Sequence, residues 1–316
     1  MLHRAGVIRF VQRVIPGRGD LVVVRAAGRT LLVDLFDRDS IDEVMLETAD
    51  AYAKRSFRIA GYDDKRIFPY GLCYTVYPAG PDLRIFARRR MQSSGRVAGD
   101  LLRAFALDRV LGWPPTTRLT DIRPRPAELR PGRPAVVCFT RLWAPPPNDD
   151  PDDPNGRTAM NRQRIECIRA LRRELGPQFV GGVKHSQFAV DQCPDCVVDP
   201  QTTRRTRYLD LVAATPIGVT TRGLERSIGF RFGEYVAMGR AIVSEPLAAH
   251  VPGLTSDVNY VTFGDADECV KACVRLIERP DELAAMADAN ASYYSEHLHP
   301  DRVAHRMLQQ LDAVPV

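Results

Sequence analysis

Lysine is scarce: it supplies four of the 44 cationic residues, and arginine supplies the rest. Long apolar runs are missing as well. Charged residues interrupt every such stretch before the roughly 20 residues that a membrane-spanning helix needs. The first 20 residues carry four arginines among short apolar runs and lack the continuous apolar core and small-residue cleavage site of a secretory signal. A cytoplasmic protein is therefore expected. Seven scattered cysteines, an odd number, argue against a disulfide framework. Cys193 and Cys196 have the spacing of a zinc knuckle or a redox dithiol, but no second CxxC or HxxxH lies nearby to complete a four-ligand zinc site. Histidine is thin too, and His3 is the only one in the first 125 residues.

What is present is the composition of a soluble globular chain. Apolar residues make up 45% and charged residues 26% of 316, which excludes wholesale disorder and leaves room for two domains of ordinary size. The net charge of +5 is unevenly spread. Residues 1–125 hold 22 Lys/Arg against 14 Asp/Glu, whereas residues 126–316 hold 22 against 25. The first part thus offers an electropositive surface suited to an anionic partner, with Arg84 and Arg88 to Arg90 as its densest cluster.

The clearest boundary is Pro114 to Pro134, where six prolines in 21 residues rule out a helix or a central strand. It reads as an extended linker and hinge between a domain at 1–125 and another at 126–316. In the first, LVVVRAAGRTLLVDLF predicts two strands around an Ala-Ala-Gly turn. Ser40 and Glu43 have capping-box spacing for a helix running to about Ala53. A strand within IFPYGLCYTVYP and a helix over RMQSSGRVAGDLLRAFALDRVLG follow. The second domain alternates more regularly: strands AVVCF, FVGGV, PIGVTT, AIVSE and NYVTF are separated by helices at 158–175, 203–213 and 227–238. Helices at 265–278, 281–297 and 301–312 close the chain. That rhythm implies a parallel sheet covered on both faces, a Rossmann-like α/β architecture.

The most informative segment is Gly218 to Glu245. A strand, a glycine turn and a helix capped by Ser227 would place free backbone N–H groups at 227–230, a ready site for an anion. Gly223 and Gly229 would let the backbone approach a phosphate. Glu234, two turns into the helix, could accept hydrogen bonds from a ribose. A routine strand-turn-helix with a capping serine is the plain alternative.

Read as Arg226-Ser-Ile-Gly229-Phe-Arg-Phe-Gly-Glu234-Tyr-Val-Ala-Met-Gly239-Arg-Ala-Ile-Val, this segment resembles the donor-binding region of GT-B glycosyltransferases, whose pattern runs E-x-F-G-L-x-x-x-E-A-M-A-x-G-x-P-V-V. VVCFTRLW and the run from Thr255 to Leu308 are similar to the opening and closing stretches of the same domain. The likeness is to group 1, retaining members and covers about residues 134–312. It implies two Rossmann-like domains facing across a cleft, the first shortened, with the last helix packing back on the first domain. The implied reaction is hexosyl or pentosyl transfer from a nucleotide-diphosphate sugar to a hydroxyl, with retention. No metal and no other cofactor is expected.

The resemblance also assigns residues. Gly223, Leu224, Ser227, Ile228, Gly229, Phe230 and Glu234 would hold the donor, and Arg141 and Lys184 would face its diphosphate. Asp34, at the end of LLVD, is the candidate for work on the acceptor, because a strand's carboxyl end opens on the ligand crevice. Asp50 to Ser56 and Pro69 to Tyr74 read as loops at that crevice. Asp37 and Asp39 have the D-x-D spacing of a manganese site, although carboxylates before a helix also serve as caps. The sequence departs from the pattern at its first acidic position, which falls on Arg226, and the relatives' acceptor-side histidine is not recognisable. An anionic glycan, a lipid carrier at a membrane surface, a small molecule or modified DNA would each suit a basic acceptor side. The alternative function is a nucleotide-binding interaction module of the same fold without turnover.

Overall fold

The structure, a computed structural model, describes residues 21–76 and 117–313. The predicted helix at 91–113, the cluster Arg88 to Arg90, Arg84, His3 and the first two linker prolines lie outside the described residues. The chain divides into two compact units. One comprises residues 1–122, 249–252 and 297–316, and the other 123–248 and 253–296.

In the N-terminal unit, strands β1 (Leu21–Ala26) and β2 (Arg29–Asp34) form an antiparallel hairpin. Its two turn residues, Ala27 and Gly28, both have positive φ, the backbone that matches the twist of paired strands. Helix α1 (Glu43–Leu46) follows, and β3 (Ala51–Lys54) and β4 (Ile67–Pro69) then add in parallel, giving the order β1-β2-β3-β4.

The helix predicted from Ser40 to Ala53 is corrected here. Asp42, not Ser40, caps α1, accepting the Met45 N–H at 3.1 Å, and α1 is a single turn. Residues 51–54 pair with Leu31 to Asp34 instead, and the fully buried Tyr52 shows that sheet formation overrides helical propensity at this position. The same pairing makes part of the predicted loop from Asp50 to Ser56 a strand.

Side chains alternate across this sheet as a two-residue period requires. Leu31, Val33, Ala51 and Ala53 form one apolar face, and Leu32, Tyr52 and Ile67 belong to the other with Leu46.

The C-terminal unit is built on six parallel strands in the order β10-β9-β8-β5-β6-β7. They are β5 (Val136–Thr140), β6 (Phe179–Lys184), β7 (Val197–Val198), β8 (Ile217–Thr220), β9 (Ala241–Ser244) and β10 (Val261–Thr262). Between them run α2 (Arg157–Leu175), α3 (Gln187–Gln192), α4 (Arg205–Ala214) and α5 (Phe230–Ala237). Helices α6 (Ala266–Glu278) and α7 (Pro280–Tyr293) follow β10. A π-helical turn at Tyr294–Leu298 leads to α8 (Pro300–Ala313), whose Met307 and Leu311 pack on the Leu31 face of the N-terminal sheet.

In the C-terminal sheet, Val136, Cys138, Val219 and Val243 share a core with Cys167, Ile168 and Leu171 of α2 and Cys269 and Cys273 of α6. On the other face, a Cβ at Gly218 would lie 2.5 Å from the Tyr235 ring, so glycine lets α5 sit directly on β8. The strand order reverses at β5, which lies between β6 and β8. Such a reversal opens a crevice at the carboxyl ends of the strands.

The proline-rich stretch is not free chain throughout. The guanidinium of Arg240 is fully buried and donates to the carbonyls of Arg125, Ala213 and Met238, and the Arg125 N–H donates to Met238 O. Residues 123–126 are thereby fastened to the C-terminal unit. Arg240→Met strands these buried carbonyls, at about 1–3 kcal/mol. We expect a lower melting temperature and faster proteolysis within 123–134. An unchanged melt with unchanged cutting would remove this role from Arg240.

Candidate functional site

The loop between β8 and α5 is a closed ring of backbone hydrogen bonds. The Gly223 N–H donates to Ser227 O at 2.8 Å, and the Ser227 N–H donates to Leu224 O at 2.9 Å. A Cβ at Gly223 would meet Ser227 Oγ at 2.5 Å, so the ring closes only around glycine. Two non-glycine residues inside it, Glu225 and Arg226, hold φ of 53° and 60°. Left-handed backbone costs an L-residue roughly 1–2 kcal/mol.

The helix begins at Phe230 with Gly229 as its N-cap, and no side chain caps it. This corrects the expectation that Ser227 caps the helix. Ser227 is buried and closes the loop instead.

Beside this ring, at the carboxyl ends of β8 and β9, lies a shallow, open cleft whose enclosed space is only about 10 Å³. Of the residues expected to hold a donor, Ser227, Ile228 and Gly229 line it, together with Arg222, Arg226 and Glu245. Gly223, Leu224, Phe230 and Glu234 are not among its lining residues. Phe230 is exposed, and Gly223 acts through the ring it closes. Glu245 is buried and accepts from both the backbone N–H and the Nε of Arg222, at 2.8 and 2.9 Å. The other nitrogens of Arg222 reach Asn155 Oδ1 and Pro154 O, tying in the insertion between β5 and α2.

Arg164 was not singled out by the sequence reading. From α2 it donates to Arg141 O and Arg222 O, each at 2.5 Å, and to Thr221 Oγ1 at 3.1 Å. It therefore joins the loops after β5 and β8 at the strand-order reversal. Burial first, then the neighbouring Arg231 charge, pulls its pKa down to about 10, which still leaves it charged at neutral pH. A sequence signal existed: Met160, Arg164, Cys167, Ile168, Leu171 and Leu175 form one buried helical stripe, and Arg164 is its one cation.

Arg141 and Lys184 come together. β5 and β6 pair in parallel with Thr140 opposite Val183, which puts Arg141, just after β5, and Lys184, the last residue of β6, both at the sheet's carboxyl edge. Both are exposed, and Arg141 Cζ stacks 4.3 Å from the Trp143 ring centroid. Asn161 fixes that turn, accepting the Trp143 N–H at 3.1 Å and donating to Trp143 O at 2.7 Å.

Two carboxylates differ from expectation. Glu234 is 2% exposed and accepts from Arg205 Nη1 at 2.5 Å and Tyr208 Oη at 2.8 Å. It ties α5 to α4, with both oxygens already engaged by protein groups. Asp34 is 1% exposed and accepts from Tyr52 Oη at 2.5 Å, Lys54 Nζ at 2.8 Å and the Phe36 N–H at 2.9 Å. Burial pulls the Lys54 ammonium down and the paired Asp34 opposes it. Asp34 is a buried anchor of the ends of β2 and β3, so it has no open face with which to take a proton from an acceptor.

Asp37 and Asp39 pair with Arg55 and Arg58, and no group of three or more metal-ligating side chains occurs among the described residues. Cys193 and Cys196 are buried, and burial, then the Asp195 hydrogen bond, pushes the Cys196 thiol up to about 12. No helix among the described residues is long and apolar enough to cross a membrane.

Residues 164–310, just under half of the chain, match the family model described as glycosyl transferase-like. No curated protein matches the chain. Among solved structures, the chain is similar to HepE from Anabaena in complex with UDP and glucose, at 15% identity and a TM-score of 0.48. That similarity covers 86% of this chain and 65% of HepE. It is also similar to the C-terminal domain of the glycosyl transferase group 1 family protein LpcC from Francisella tularensis, at 11% identity and a TM-score of 0.41, covering 57% of this chain and 97% of that domain. TarM is similar at 10% identity and a TM-score of 0.42, with 84% of this chain and 51% of TarM covered. The chain thus spans under two thirds of the length of HepE and about half that of TarM.

The Glu234 pairing yields a measurable consequence. Glu234→Gln keeps the size and one acceptor oxygen but removes the buried charge, and hydrogen bonds to a charged group contribute about 1.5–3 kcal/mol. We expect a clear drop in melting temperature. An unchanged melt with a ten-fold or larger loss of nucleotide affinity, about 1.4 kcal/mol, would instead place the carboxylate on a ligand.

Proposed function

We propose that this chain is a glycosyltransferase that moves a sugar from a nucleotide-diphosphate sugar to a hydroxyl, holding the donor at the carboxyl edge of the C-terminal sheet. The observation that carries the proposal is a coincidence of position: the cleft at the ends of β8 and β9 lies wholly inside the segment, 164–310, that matches the glycosyl transferase-like model. The chemistry asked of that edge is modest. Negative charge grows on the leaving diphosphate, and preorganised dipoles and fixed cations stabilise it without reorganising at the moment of reaction. The N-terminus of α5, which no side chain caps, supplies the dipole. Arg141 and Lys184 supply exposed charges, and Arg164 a buried one.

On this reading the fixed cations serve where other transferases use a divalent ion, and the sugar is transferred with retention. The acceptor is a hydroxyl compound bound by the N-terminal side, and its basic composition favours an anionic one. One observation favours the second reading, a nucleotide-binding module without turnover: Asp34, the acceptor-side carboxylate candidate, is closed off by Tyr52 and Lys54.

A melt across nucleoside diphosphates and their sugars tests the donor site, because a ligand at 100 times its dissociation constant adds about 2.7 kcal/mol. We expect a shift with one family of nucleotide sugars and slow hydrolysis of that sugar without acceptor, at a rate unchanged by EDTA. Binding without hydrolysis favours the module, and no shift with any nucleotide defeats both readings.

A further inference from the structure

We propose that Arg226 selects a donor whose sugar carries a carboxylate, a uronic acid type of donor; the proposal rests on the donor-site reading above. The starting point is the charge balance of the cleft. Its lining holds one carboxylate, Glu245, and that group is already engaged by Arg222. The second lining guanidinium, Arg226, is exposed and has no acidic partner among the described residues. The cleft therefore carries one surplus positive charge in addition to the dipole of α5 and the cations at the ends of β5 and β6.

The backbone at Arg226, from which the side chain departs, is imposed by the closed loop. The Gly223–Ser227 and Ser227–Leu224 backbone bonds close around it, and it is held with positive φ, where an arginine is unfavourable and a glycine would be at ease. A forked guanidinium matches the two oxygens of a carboxylate, and a pair of such charge-assisted bonds is strong and directional. A neutral sugar leaves that fork facing water, whereas a sugar carboxylate fills it.

Two matched pairs of probes test this: UDP-glucuronate against UDP-glucose, and GDP-mannuronate against GDP-mannose, with UDP and GDP alone as references. The unsubstituted protein should bind the acidic member of one pair about ten- to a hundred-fold more tightly than its neutral partner. Arg226→Gln should erase that preference, and Arg226→Lys should keep part of it. Arg226→Gly, which suits the left-handed backbone, should erase it while preserving the melting temperature, so a folding defect in the glutamine variant cannot imitate the result. Equal affinity for acidic and neutral donors overturns the proposal. So does an Arg226→Gln variant that loses affinity for the bare diphosphate as much as for the acidic sugar, since the guanidinium would then be a phosphate contact. If no nucleotide or nucleotide sugar binds, the donor-site reading fails and this proposal with it. If the neutral donor binds and the acidic one does not, this proposal fails alone.

Discussion

The C-terminal unit turns on one buried guanidinium. Arg164 lies under the point where the strand order reverses and holds together the two loops that must converge there, through Arg141 O, Thr221 Oγ1 and Arg222 O. Two carbonyls and one hydroxyl accept from its guanidinium, and all three are neutral oxygens. A buried cation satisfied by carbonyls and a hydroxyl keeps its charge unneutralised by direct contact, and in a medium of low polarisability that charge acts over a longer distance than it would in water. The same group that fixes the loops thus makes the carboxyl edge of the sheet attractive to an anion. Structure and proposed chemistry rest on the same side chain.

Around this centre, each neighbouring contact removes one degree of freedom. Gly218 lets α5 sit on β8, which sets where the helix N-terminus points. Glu234 ties α5 to α4 through Arg205 and Tyr208. Arg222 and Glu245 join the ends of β8 and β9 and draw in the insertion at Pro154 and Asn155. The left-handed pair Glu225-Arg226 persists because the Gly223–Ser227 ring is closed on both sides of it. Local strain at such a place is retained only when the surroundings over-determine it.

The layer architecture was legible in the sequence because alternating strands and helices with apolar cores leave few arrangements in which both sheet faces are covered. The strand-turn-helix order at 218–245 was legible for a similar reason, but its cap was not: Ser227 closes the loop and Gly229 precedes the helix. Residues 51–54 were not. Their apolar spacing suits a helix or a strand equally, and only pairing with β2 decides, a contact between distant parts of the chain. Glu234 and Asp34 were recognised as important positions, but their partners are distant in sequence: Arg205 and Tyr208 for one, Tyr52 and Lys54 for the other. Composition and spacing say nothing about which acceptors are already taken. Arg164 was hidden among the arginines of α2, although its place on the buried stripe distinguishes it from its exposed neighbours.

The central claim is that a nucleotide-diphosphate sugar is held at the carboxyl edge built around Arg164. Amide hydrogen exchange, measured on the whole chain with and without the nucleotide sugar that raises the melting temperature most, tests it directly. The account predicts protection concentrated in residues 221–232 and 141–143, where backbone N–H groups border the cleft and the Arg164 clamp. Saturating binding that leaves both segments exchanging as in the free protein, with protection elsewhere, would contradict it.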